Sequence, residues 1–131
     1  DRRVSVQVLP TCHWSPRADG YLAGLVQREV VDRMNDDQLV LAASASYEEA
    51  HGRGGAYVLW ASVPCDKDHV SIHYALRHGD TLVRSGHLEG QRNDVVRMSA
   101  ELANQVKMIV RLRGAKNQLT LVHPGTPLRT P

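Results

Sequence analysis

Val70-Ser71-Ile72-His73-Tyr74-Ala75-Leu76-Arg77 runs into His78-Gly79-Asp80 and leaves through Thr81-Leu82-Val83-Arg84-Ser85. Val70, Ile72, Tyr74 and Leu76 alternate with Ser71, His73, Ala75 and Arg77. Period two puts successive side chains on opposite faces of a strand, here one apolar and one polar. Gly79-Asp80 is a tight-turn dipeptide between two such runs, so the stretch predicts a β-hairpin.

Toward the N-terminus, Ala56-Tyr57-Val58-Leu59-Trp60-Ala61-Ser62-Val63 is almost continuously apolar, the pattern of a central strand covered on both faces. Pro64 to Asp68 turns. Ser44 to Gly55 is polar and glycine-rich, a loop, and Leu39 to Ser44 is a short β-rich stretch before it. Gly20 to Met34 carries Leu22, Leu25, Val26, Val30 and Met34 at helical spacing, and Asn35-Asp36-Asp37 breaks that helix. Thr11 to Asp19 is a loop. Within it Ser15-Pro16 reads as an N-cap with proline at the first helical position, and Asp19 is the competing cap. Val4-Ser5-Val6-Gln7-Val8-Leu9-Pro10 is a half-buried strand ended by proline. Toward the C-terminus, Asn93 caps a second helix from Asp94 to Leu112. Its buried stripe is Val95, Met98, Leu102, Val106 and Ile109, widened by Ser99, Ala103 and Val110, and Gly114 is the expected C′ residue. The order predicts one compact α+β domain over residues 1–114. Residues 115–131 read as a tail, in which Leu119 to Val122 docks as an edge strand or stays extended.

At 131 residues, 42% apolar and 23% charged, the chain suits one globular domain. A net charge of +2 is too small to argue for nucleic acid or an acidic membrane. Basic residues concentrate at Arg2 and Arg3 and at Lys107, Arg111, Arg113 and Lys116. The second group complements the dipole of a helix ending near Gly114, with an anionic partner as the competing reading. No apolar run approaches the roughly 20 residues of a membrane span. The chain starts at Asp1 without a signal peptide, which fits a mature or trimmed protein and is compatible with a removed leader.

The two cysteines, Cys12 and Cys65, sit just past apolar runs that would end at the same side of a sheet. We expect a Cys12–Cys65 disulfide and an oxidising compartment; two buried thiols in a reducing one is the competing reading. The seven histidines match no structural zinc spacing. His69 and His73, four apart on one strand, are about 13 Å apart. His73 and His87 face each other only in some hairpin registers. His51-Gly52-Arg53-Gly54-Gly55 precedes a strand, so it is a turn and not a phosphate loop. Ser62, Ser71 and Ser85 lack a nucleophile elbow. Tyr57, Trp60 and Tyr74 lie in apolar strands, where core packing accounts for them and no nucleic-acid face is needed. Trp14, beside His13 in a polar loop, reads either as an interface anchor or as a lid over the sheet end.

The chain resembles the TolB amino-terminal domain and the related CsgG, FlgO and LpoB-like envelope lipoproteins. Val6-Gln7-Val8-Leu9-Pro10 matches the group's first strand, and Leu22 and Leu25 its spaced leucines. Tyr57-Val58-Leu59-Trp60-Ala61-Ser62-Val63 matches a central strand in which Ala61 replaces the usual glycine. Gly79-Asp80-Thr81-Leu82-Val83-Arg84-Ser85 matches its turn and following strand. The resemblance implies an α+β two-layer sandwich, a mixed β-sheet of about five strands with two main helices packed on one face. It also implies a periplasmic place, with outer-membrane anchoring through a tether upstream of Asp1.

The resulting expectation is a non-enzymatic protein–protein interaction module of a cell-envelope assembly or secretion system. Its partners are envelope proteins, including further copies in a ring. No cofactor, metal or nucleic acid is expected. The expected interaction residues are His13, Trp14, Tyr47, His51 and Arg53. The alternative is a small ligand- or metal-binding protein, or a thiol-dependent enzyme using Cys65 and histidines.

Overall fold

The computed structural model describes residues 3–10, 16–36, 40–44, 57–66 and 68–122, with side chains described at all of these except 10, 16–20, 41, 65–66 and 115–122. Among them, strand β1 (Arg3–Pro10) leads into helix α1 (Pro16–Asn35) and the short strand β2 (Leu41–Ser44). β3 (Tyr57–Val63), β4 (Cys65–Asp66), β5 (His69–His78) and β6 (Thr81–Gln91) follow. A 3-10 turn over Arg92–Asp94 then opens helix α2 (Val95–Val122).

β1 pairs in parallel with β2 on one side and β3 on the other, and β5 and β6 add antiparallel strands beyond β3. β4 pairs with β5 in the same register as β3 does. β3 and β4 are therefore one strand interrupted at Pro64, which has no N–H to give. Its carbonyl still accepts from Ser71 N–H at 3.1 Å, so the ladder continues. The sheet is mixed and five positions wide, as the resemblance implies.

Both helices pack on one face of this sheet. Val4, Val6 and Val8 of β1, Tyr57, Leu59, Ala61 and Val63 of β3, and Val70, Ile72, Tyr74 and Leu76 of β5 are buried beneath them. Leu22, Val26, Val30 and Met34 of α1 and Val95, Met98, Leu102, Val106 and Val110 of α2 complete one core. Ile109, expected in the stripe, is only partly buried beside it. Ser99 enters the core by donating its hydroxyl to Val95 C=O at 2.8 Å.

Four local expectations need correction. Pro16 begins α1, and Asp19 lies inside the helix instead of capping it. Asn93 falls in the 3-10 turn, where Asp94 Oδ2 accepts from Gln91 N–H at 2.9 Å. β6 extends to Gln91, past two glycines. Helix α2 passes through Gly114 to Val122, so Leu119 to Val122 is helical and not an edge strand.

Candidate functional site

The sheet face turned away from the helices collects the polar side chains of β5 and β6. Register pairs His73 with His87 and Ser71 with Glu89. The two imidazoles stack with centroids 5.6 Å apart at 22°. Glu89 lies between two histidines, Oε1 being 3.2 Å from His69 Nε2 and Oε2 3.7 Å from His87 Nε2. Ser71 Oγ is 3.5 Å from His69 Nε2. One strand inward, Ser62 stands opposite His73 and Trp60 opposite Ala75, with the indole 43% exposed. Gln7 of β1 pairs with Trp60, and its Oε1 is buried without a hydrogen-bond partner among the described residues.

A one-residue irregularity sets this arrangement. Leu76 pairs with Arg84 but Arg77 with Leu82, which leaves Val83 as a bulge. The register from the Gly79-Asp80 turn without that bulge would set His87 opposite Ile72. Because side chains alternate strictly, His87 would then point toward the helices. The bulge is what brings His73 and His87 together on the open face.

The group offers imidazole, carboxylate, hydroxyl and indole groups on a flat exposed surface. Among the described residues no three histidine, cysteine, aspartate or glutamate side chains are placed to hold one metal ion. A second feature is an open groove of about 320 Å³ between α1 and the β2 edge, lined by Gly24, Gln27, Arg28, Val31, Asp32 and Ser44. Gln27 Oε1 accepts from Val8 N–H at 3.1 Å, so that side chain is tied to the sheet.

The residues expected to form the interface lie elsewhere. Cys12, His13, Trp14, Tyr47, His51 and Arg53 are outside the described residues, and so is the Cys65 side chain, although its backbone is in β4. The expected disulfide therefore falls outside them too. The reading of single residues missed the Trp60, His69, His73, His87 and Glu89 face, because the bulge that assembles it leaves no mark in the hydrophobic pattern.

No protein-family model matches the chain, and no curated protein matches it. Solved structures do. Its fold is similar to that of PelC. A single-substitution variant of PelC from Paraburkholderia phytofirmans, itself a dodecamer, matches with a TM-score of 0.56 at 16% identity, covering 82% of this chain and 89% of that one. The PelC dodecamer from the same organism matches at 0.54 and 16% identity, covering 83% and 86%. TolB from Acinetobacter baumannii matches at 0.54 and 12% identity over 84% of this chain, which spans 29% of the TolB chain. At such identities the likeness speaks for the fold. It meets the TolB part of the expectation; the grouping with CsgG, FlgO and LpoB rests on the sequence resemblance alone.

Proposed function

We propose that the chain is a non-enzymatic interaction module of the cell envelope, placed in the periplasm, that associates with further copies of itself and with envelope proteins. The observation that carries this reading is the uncovered sheet face. Its Trp60 indole and its His73–His87 and His69–Glu89 pairs form a flat surface that mixes apolar area with directional hydrogen bonding. Such a mixture suits a protein contact, where an aromatic anchor sits among polar groups. Two supports stand beside it. The fold is similar to PelC, which forms a dodecamer, and to part of TolB. The resemblance of the strand and turn motifs to the TolB group points to the envelope.

Light scattering on the native chain tests this. We expect a mass several times the 14.5 kDa of one chain, and a shift toward single chains in Trp60→Ala. A single-chain mass at every concentration, together with no envelope protein captured by in-cell crosslinking, would overturn the reading.

A further inference from the structure

The distal half of α2 carries a charge distribution that the fold does not use. After Glu101 the chain has five basic residues (Lys107, Arg111, Arg113, Lys116 and Arg129) and no acidic one. With +2 overall, the stretch ending at Glu101 carries net −3. A helix ending at Gly114 would explain Lys107 to Lys116 as cations at its negative pole. Helix α2 instead continues to Val122, and its last turn holds no basic residue. The dipole acts only within the terminal turn, so it does not account for this group. Two of the cations also meet neutral acceptors that leave their charge in place. Lys107 Nζ donates to Arg33 C=O at 3.0 Å, and Arg113 Nε to the Tyr57 hydroxyl at 3.0 Å.

A second observation lies on the same half-helix. Met108 and Leu112, one turn apart, are 60% and 65% exposed on the side away from Leu102, Val106 and Val110. Helical spacing carries that line on to Ala115, Leu119 and Val122. Backward it reads Asn104, Glu101 and Arg97, all polar. The outward line thus turns apolar where the acidic residues stop, and by spacing Arg111 and Lys116 fall on either side of it.

We infer that this half of α2 docks on an anionic lipid surface. The helix lies in the plane of the bilayer, with Met108, Leu112, Leu119 and Val122 toward the acyl boundary and the cations at the headgroup phosphates. Among the described residues no helix is long and apolar enough to cross a membrane, so the contact is peripheral. A second copy is the poorer occupant. Paired along the same line, two such helices would set Arg111 and Lys116 of each against the other's like charges.

Co-sedimentation of the intact chain with vesicles tests this. We expect binding to phosphatidylcholine vesicles containing phosphatidylglycerol and none to phosphatidylcholine alone. Binding weakens as salt shortens the screening length from about 10 Å at 0.1 M to about 3 Å at 1 M. Lys116→Glu lowers affinity by about five-fold per unit of charge changed. Leu112→Asp abolishes binding while leaving the far-ultraviolet dichroism and melting temperature unchanged. Equal binding to both vesicle types, no binding at low salt, or full binding by Leu112→Asp would overturn the inference. So would a Leu112→Asp chain that loses an assembly by light scattering yet still binds vesicles, because the apolar line would then be a subunit contact.

Discussion

Tyr74 and Gly86 show how one contact decides a residue choice. Tyr74 Oη donates to Gln105 Oε1 at 2.6 Å, which ties β5 to α2. Its ring lies across the β6 backbone at Gly86, where an added Cβ would stand 2.9 Å from Oη and 3.1 Å from Cζ. The tyrosine ring cannot bend aside, so the site excludes any side chain. Gly86→Ala should cost about 1–3 kcal/mol of unfolding free energy in urea. Tyr74→Phe should cost about 1 kcal/mol for the lost hydrogen bond. Because Phe removes the oxygen at 2.9 Å, the double variant should lose less than the sum of the two; strict additivity would remove this explanation. Asn35 plays a different part. Its Nδ2 donates to Ala42 C=O and its Oδ1 accepts from Ala42 N–H, both at 2.9 Å. The amide imitates a strand neighbour where α1 hands over to β2. Asn35→Ala leaves both backbone groups without these partners and should destabilise by about 1–3 kcal/mol, read from the same denaturation curves.

At the scale of elements, α1 and α2 differ in how their ends are made. α2 starts through Asp94, whose carboxylate takes Gln91 N–H; Asp94→Ala should cost about 0.5–2 kcal/mol in thermal or chemical unfolding. α1 has Gly24 in its interior, and a Cβ there meets nothing within 4 Å. Glycine loses more backbone freedom on folding than alanine does. Gly24→Ala should therefore raise stability by about 0.5–1 kcal/mol; a lower melting temperature would contradict the geometry. The elements themselves were mostly legible. The alternation from Val70 to Leu76, the 3–4 spacing in both helices and the Gly79-Asp80 turn each predict what forms. The distal parts of β6 and α2 were not. Gly86, Gly90 and Gly114 read locally as breakers, while the packing of Tyr74 and Met98 needs bare backbone at the first two.

For the whole molecule, β3 separates stability from recognition within two adjacent residues. Leu59 is fully buried under the helices, whereas Trp60 is 43% exposed on the other face. Leu59→Ala should lose about 2–5 kcal/mol of folding stability. Trp60→Ala should leave unfolding nearly unchanged and alter only the mass of the assembly. If Trp60→Ala unfolds the protein as readily as Leu59→Ala, the indole belongs to the core and the open face loses its anchor. The near-continuous apolar run from Tyr57 to Val63 had suggested a strand covered on both sides. A strand in the middle of a sheet needs two neighbours, not two covers, and here β1 and β5 supply the neighbours while the helices cover one face.

By itself the sequence determined the two helical stripes, the strands that feed one core and the hairpin turn. These follow from local periodicity, and hydrophobic burial enforces periodicity wherever one face is covered. The tertiary structure alone decided three further things: the Val83 bulge that turns His87 to the open face, the glycines spent on close approach, and the continuation of α2 past Gly114. Each depends on which distant residue lies across the gap, Tyr74 from Gly86 or His73 from His87. Local pattern carries no record of such pairs, because their cost and gain appear only once the strands and helices are in register.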